Sequence, residues 1–453
     1  MTNMSDELAK LHTENTRLIA LLEAHCISWK EPIRIPVTEE SALRLTPDEK
    51  VALFRRLFRG RLDVYPTRWE STTGKSGYSP ACAHEWQAGI CEKPRIKCSD
   101  CNQRALLPVT HQVIYDHLAG IQTMGVYPLL TDDSCYFLAI DFDEGDWRED
   151  ALAFMQSCHE LDVQAALEIS RSGNGAHLWI FFTTPVPARD ARRLGAALIS
   201  HTCTRTRQLR LTSYDRMFPN QDCMPKGGFG NLIALPLQKK ARERGGSVFV
   251  DETFQPFIDQ WAYLASLQAM SIHAVEAAIL RATDGNHPLD VAFISDENQP
   301  EPWKRSAASS KKLSAPIPTS VTVTLANLIY FEKSQLSQPL ANRLIRLAAF
   351  QNPEFYKAQA MRFPVWDKPR VIGCAENYPN HIALPRGCLD AVQILLRENN
   401  IHCDLRDERF IGSPLQVDFT GVLRLDQEVA VAAMLHHEIG VLCAPTAFGK
   451  TVT

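Results

Sequence analysis

Apolar residues recur along this chain in two rhythms. Between Tyr65 and about Asp290, runs such as "YFLAIDFD" from Tyr136, "HLWIFF" from His177 and "GNLIALPL" from Gly230 read as strands. Between them, "DALAFMQSCHEL" (150–161) and "ARRLGAALISHTC" (191–203) carry the spacing of amphipathic helices. Strands interleaved with helices predict an α/β or α+β domain spanning 45–292. Upstream, Leu8, Leu11, Leu18 and Leu22 step by three and four, with Asn15 at the remaining seam position. That pattern predicts a helix within 1–30 and a short coiled coil pairing two chains, or a helix docked on its own domain. Residues 293–320 are polar and rich in Pro, Ser and Lys, and read as a linker. A second folded unit is expected over 321–453.

Length and composition narrow the class. The chain has 453 residues, 45% of them apolar, enough for two or three domains with substantial cores. It has no run of about 18 apolar residues, and "MTNMSDELAK" lacks the basic and apolar regions of a signal peptide, so a cytoplasmic protein without a membrane partner is expected. The net charge of −4 decides nothing alone, but three basic runs stand out. They hold Arg55, Arg56, Arg59 and Arg61; Arg205, Arg207 and Arg210; and Lys239, Lys240, Arg242 and Arg244. Such runs are solvated faces or the walls of a nucleic-acid channel.

Thirteen cysteines in a reducing compartment point to thiols or metal ligands rather than disulfides. Four of them, Cys82, Cys91, Cys98 and Cys101, fall within the polar loop 82–101, with His84 beside them. Four thiolates satisfy tetrahedral zinc, and the Cys98-x-x-Cys101 turn brings two sulfurs to one point. A structural zinc is therefore expected, with His84 an alternative to Cys82 or Cys91. The competing reading, a redox pair, lacks flanking thioredoxin-like elements.

The strand at Tyr136 ends in acids. Side chains alternate along a strand, so Leu138, Ile140 and Phe142 point one way while Asp141 and Asp143 converge on the other. Paired hard oxygen ligands suit Mg²⁺ or Mn²⁺, although an exposed strand end leading into "EGDWRED" fits the same residues. About 35 residues on, Ser172, Gly173, Asn174 and Gly175 form a glycine-bearing turn that opens into His177. Glycines let backbone N–H groups face an anion, and a hydroxyl and an imidazole add donors, so this turn reads as a triphosphate cradle. In "SYDRMFPNQDCMPKGGFG", Asp215 or Asp222 would supply a third carboxylate, and Lys226 and Lys239 would offer cations to phosphates. Carboxylates with two divalent ions and a phosphate cradle form a site for in-line nucleotidyl transfer.

These motifs together resemble the archaeo-eukaryotic primases, marked by an Asp-x-Asp strand, a Ser/His strand and a third acid. "ACAHEW…GICEKP…KCSDC", "SRSGNGAHLWIFF", "DRMFPNQD" and "GFGNLIALPLQ" are similar to the primase branch of TOTE conflict systems, over about residues 50 to 290. The resemblance implies an RRM-like catalytic core with a zinc-bearing insertion and primase or primase-polymerase activity. It further implies dependence on Mg²⁺ or Mn²⁺, nucleoside triphosphates as substrates, and single-stranded DNA or a primer-template as partner. One departure is that Ser172 lies five residues before His177 rather than two, although Ser170 stands nearby.

Near the C-terminus, Gly449, Lys450 and Thr451 fit the end of a Walker A loop, preceded by the strand "IGVLCAPT" and, some twenty residues earlier, by Gln427. An opening Ala444 and an upstream glutamine resemble superfamily 2 helicases, so 321–453 is expected to be the front of a helicase-like domain. No Asp-Glu box follows, so ATP hydrolysis by this chain is not expected. Two rival readings of the whole are a non-catalytic zinc-containing nucleic-acid-binding module and a metal-dependent nuclease.

Overall fold

In the computed structural model, residues 45–71, 73–93, 95–98, 100–143, 146–203, 216–283, 317–365, 367–414, 416, 418–437 and 440–450 are described. The leucine seam at residues 1–30, most of the expected linker, Arg205 to Arg210, Asp215 and Thr451 lie outside them.

The described chain begins with helix α1 (Pro47–Leu57). Thr46 caps it reciprocally: its hydroxyl accepts from the Glu49 amide at 3.3 Å, while the Glu49 carboxylate accepts from the Thr46 amide at 2.8 Å. A hairpin of β1 (Pro66–Glu70) and β2 (Ser76–Pro80) precedes the cysteine loop, followed by α2 (His111–Ala119) and the short strand β3 (Gly125–Val126). Then come β4 (Ser134–Asp143), α3 (Trp147–Glu160), β5 (Ala166–Ile169), β6 (Gly175–Pro187) and α4 (Ala188–Cys203). After them run β7 (Met217–Phe218), β8 (Ile233–Ala234), α5 (Lys239–Arg242), β9 (Val248–Phe249), α6 (Gln260–Ser266) and α7 (Ile272–Thr283).

Five of these strands form an antiparallel sheet in the order β7-β4-β6-β5-β9. Alternation sorts its side chains into two cores. Leu138, Ile140, Phe142, Leu178 and Ile180 pack with α3, α4 and α7 on one face. Phe137, Ala139, Trp179 and Phe181 meet α1 on the other, where Phe58 stands edge-on to Trp179 at 4.9 Å. Each such fully buried aromatic contributes about 2–3 kcal/mol of transfer free energy. The second face is therefore dry up to the ends of β4 and β6 where the acids lie.

A second five-stranded sheet follows, from β10 (Ser320–Leu325) and β11 (Ile329–Glu332), past α8 (Gln338–Leu347), the pair β12 (Ala349–Gln351) and β13 (Val371–Gly373), and α9 (Pro353–Ala360). It is completed by β14 (Glu376–Asn377), β15 (His381–Leu384) and β16 (His402–Asp407), with α10 (Leu389–Glu398) packed on it, in the order β14-β15-β11-β10-β16. Val321, Val323, Phe331, Leu344, Leu384 and Leu396 give it its own core. The chain from Leu45 onward nevertheless forms one compact unit. Arg362 pairs with Asp133 at 2.6 Å, Arg346 donates to the Ser200 carbonyl at 3.2 Å, and Gln359 bonds Asp222. Among the described residues no helix is long and apolar enough to cross a membrane.

One buried histidine ties the periphery to the sheet. His117 on α2 donates Nε2–H to the Pro236 carbonyl at 2.9 Å, and its Nδ1 accepts from the Met124 amide at 3.2 Å. Burial pushes its pKa down to about 4, against the smaller opposing effect of the Pro236 carbonyl. The unfolded chain takes up this proton near pH 6.5 and the folded chain only near 4, so stability falls as pH drops through that window. The loss amounts to up to about 3 kcal/mol across it. Denaturant titration at pH 7 and pH 5 is expected to show about half of this loss in the wild type and a shallower one in His117→Gln.

Candidate active site

Strand register builds the site. Asp141 on β4 lies directly opposite His177 on β6, and His177 lies directly opposite Glu168 on β5. Odd-numbered positions of β4 and β6 face the α1 side, and Glu168 joins them across the register, so the three form one row on one face of the sheet. Asp143 pairs with Gly175 one step nearer the strand ends.

Within the row, His177 Nδ1–H donates to Glu168 Oε2 at 3.0 Å, and Trp179 Nε1–H donates to the same oxygen at 2.8 Å. On the other side His177 Nε2 stands 3.6 Å from Asp141 Oδ1. That oxygen is buried and accepts no hydrogen bond. Burial raises the Asp141 carboxyl to about 6; His177 opposes the rise and the adjoining Asp143 carboxylate adds to it. For His177, burial favours the neutral ring, but Glu168, then Asp141 and Asp143, hold its pKa above the ordinary histidine value. A buried carboxylate oxygen lacking a donor, beside a second carboxylate at the strand end, fits the needs of a hard divalent cation. Among the described residues no three His, Cys, Asp or Glu side chains converge closely enough to hold a metal ion.

The third acid expected from sequence has two candidates. Asp215 lies outside the described residues, but Arg216, which follows it, accepts the Asp141 amide on its carbonyl at 2.9 Å and donates Nη1–H to the Asp143 carbonyl at 3.0 Å. Asp222 is engaged elsewhere: one oxygen pairs with the buried Arg192, and the other accepts from Gln359 Nε2 at 2.9 Å.

The cradle is a tight connection between β5 and β6, closed by Ser170 N–H to the Gly175 carbonyl at 2.9 Å. Gly173 takes a φ of 81°, in the left-handed region glycine favours. Ser172 Oγ lies 3.0 Å from Ser170 Oγ and accepts from the Asn174 amide at 3.3 Å. A Cβ on Gly175 would stand 2.6 Å from Asp143 Oδ1 and 2.7 Å from the Phe142 carbonyl, so glycine is needed for the strands to meet beside the acid. Arg171, in the same turn, reaches the half-buried Tyr78 hydroxyl, over whose ring Arg68 also lies. Lys239 sits elsewhere, packed where a Gly120 Cβ would come within 3.1 Å of it, at the end of α2 rather than in the row.

Cys82, Cys91, Cys98, Cys101 and His84 line one cavity of about 180 Å³. The Ala105 amide donates to Cys82 Sγ at 3.3 Å, and Lys93 lies beside Cys98. His84 Nδ1–H donates to the Gln103 carbonyl at 2.7 Å, leaving the lone pair on Nε2. The residue types suit zinc, but among the described residues these side chains do not converge closely enough to hold a metal ion. Arg104 anchors the loop through Gly227 O at 3.2 Å and lies over Phe229 at 5.3 Å. The first basic run is partly engaged within the protein: Arg59 stacks on Tyr136 at 4.2 Å and Arg61 pairs with Asp63.

At the far end, α11 (Leu425–Leu435) carries Gln427, which is buried. Its Nε2 donates to the Phe448 carbonyl at 2.9 Å, and its Oε1 accepts the Arg424 amide at 3.0 Å. Gly449 has a φ of 84°, and Lys450 Nζ donates to the Ala444 and Pro445 carbonyls, both at 3.1 Å.

Fold and site together describe a mixed α+β protein with paired acids and an imidazole on the central sheet. The chain belongs to the family described as TOTE conflict system, Archaeo-Eukaryotic Primase domain, whose family model matches residues 49–278. No curated protein matches the chain. Among solved structures, the polymerase domain from Mycobacterium tuberculosis ligase D in complex with DNA aligns with 52% of this chain and 89% of that one, at 14% identity and a TM-score of 0.27.

Glu168 is the site residue that sequence reading missed. Its signal was available: a lone acid inside the apolar run "AALEI", which a core strand tolerates only with a partner. The close approach at Gly175 yields a direct test. Gly175→Ala is expected to cost about 1–3 kcal/mol by overpacking, read as a lower denaturant midpoint; an unchanged midpoint contradicts the contact with Asp143.

Proposed function

We propose that the chain is a primase or primase-polymerase that joins nucleotides along a nucleic-acid template. The observation that carries this reading is the Asp141–His177–Glu168 row with Asp143 at its open end, lying inside the primase-family region. Asp141 and Asp143, with Asp215 as the favoured third acid because Asp222 is held by Arg192 and Gln359, would hold divalent cations. Bound there, Mg²⁺ or Mn²⁺ supplies activation of the attacking hydroxyl and charge neutralisation at the departing pyrophosphate. His177 presents its Nε2 edge beside Asp141, where it would donate to a triphosphate oxygen of the incoming nucleotide. Ser172 and the amides of the Gly173–Gly175 turn would add donors at the same place. Burial of His177 and Glu168 strengthens the interactions made through the imidazole.

The zinc loop belongs to the same proposal: Cys82, Cys91, Cys98 and Cys101, with His84 an alternative ligand, would bind one structural Zn²⁺ and brace the loop that Arg104 docks on Gly227. DNA as template, the conflict-system setting, pairing of chains through residues 1–30 and ATP binding by Gln427, Gly449, Lys450 and Thr451 are parts of the reading on which sequence pattern alone bears.

Purified protein with single-stranded template, labelled nucleotides and Mn²⁺ is expected to make polymer. Asp141→Asn with Asp143→Asn is expected to reduce the rate by roughly 10³-fold or more at unchanged folding; undiminished synthesis by the double variant overturns the assignment. Metal analysis is expected to find one zinc per chain, absent from a Cys98→Ser, Cys101→Ser variant, whereas a zinc-free wild-type protein rules out the structural site.

A further inference from the structure

Glu168 is a charged side chain with about 1% of its surface exposed, in the middle of an apolar strand. An isolated carboxylate so placed costs several kcal/mol, and stability alone is better served by an apolar residue. Its surroundings account for it. One oxygen, Oε2, accepts both the His177 Nδ1–H and the Trp179 Nε1–H. Trp179 is wholly buried between Phe58, Phe137 and Phe181, so its indole cannot swing and fixes that oxygen in space. The oxygen in turn fixes the imidazole at Nδ1. With Nδ1 fixed, ring geometry sends Nε2 toward the other side of the row, where Asp141 Oδ1 lies at 3.6 Å.

We propose that Glu168 is the positioning residue of this site, anchored by Trp179 and holding His177 with Nδ1–H inward so that the Nε2 edge faces the triphosphate of an incoming nucleotide. The inference rests on the polymerase reading for the ligand, and on geometry alone for the orientation of the ring. Glu168 touches neither nucleotide nor metal; it acts through His177. Outer partners that orient metal-ligating imidazoles are worth roughly 10-fold to 100-fold when removed, and an imidazole oriented for a triphosphate is expected to depend on its partner in the same way.

Because a single oxygen takes both hydrogen bonds, Gln in place of Glu keeps the acceptor and loses only the charge, whereas Ala loses both. With ¹⁵N-histidine-labelled protein, the wild type is expected to show a slowly exchanging Nδ1–H resonance, assigned to His177 by its absence in His177→Gln. Glu168→Gln retains it and Glu168→Ala loses it. In steady-state synthesis with Mn²⁺ and a nucleoside triphosphate, Glu168→Ala is expected to raise the nucleotide KM roughly 10-fold to 100-fold with a smaller change in kcat, and Glu168→Gln to stay within about threefold. If the Ala variant does not fold, the wild-type and Gln resonances still decide. A wild-type protein without a protected Nδ1–H, a Gln variant that loses it, or a folded Ala variant with an unchanged KM overturns the proposal. The resonance does not depend on polymerisation, so a protein that makes no polymer but keeps the protected proton refutes the functional reading and leaves the positioning role standing.

Discussion

A buried carboxylate and a part-buried one, with an imidazole between them, constrain the mouth of the central sheet. Glu168 is drawn out of water by its strand and is held there by His177 and Trp179, and part-buried Asp141 faces the other edge of His177. The imidazole reaches both because three strands are in register at one rung: a slip of one residue would send His177 into the α3–α4 core and leave both acids unpaired. The register in turn depends on the tight β5–β6 connection and on the absence of a side chain at Gly175. The chemistry and the fold therefore share the same few contacts.

The surrounding structure serves that rung. Helices α3, α4 and α7 cover one face of the sheet, and α1 with its aromatic contacts to Trp179 covers the other, so Glu168 and His177 lie in a dry environment where charges interact strongly, while Asp143 is exposed at the open end. Trp179 serves twice, as a packed core residue and as the donor that steadies Glu168. Arg216 bonds the Asp141 amide and the Asp143 carbonyl, and brings the β7 edge against the acids. Further out, the cysteine loop and the second sheet attach through individual side chains such as Arg104, Arg346 and Arg362.

Much of the site was legible in sequence because it obeys a period of two. The alternation in "YFLAIDFD" places Leu138, Ile140 and Phe142 in one core and turns Asp141 the other way, as the structure has it. His177 at the head of "HLWIFF" falls in the row for the same reason. What sequence could not supply is pairing between distant strands. Glu168 matters only through its register with His177, and Asp222 looked as eligible as Asp215 because its partners Arg192 and Gln359 lie 30 and 137 residues away. Lys239 offers a cation to phosphates in the linear sequence, but local spacing does not reveal that its helix packs at the end of α2.

Mn²⁺ binding measured by electron paramagnetic resonance tests most directly whether the row acts as a divalent-cation and nucleotide site. Titration of the protein with Mn²⁺, with and without a nucleoside triphosphate, is predicted to give binding that tightens when the nucleotide is present. Asp141→Asn with Asp143→Asn is predicted to abolish that binding, and His177→Gln to remove the nucleotide enhancement. Mn²⁺ binding that ignores the nucleotide, or that survives loss of both carboxylates, contradicts the account.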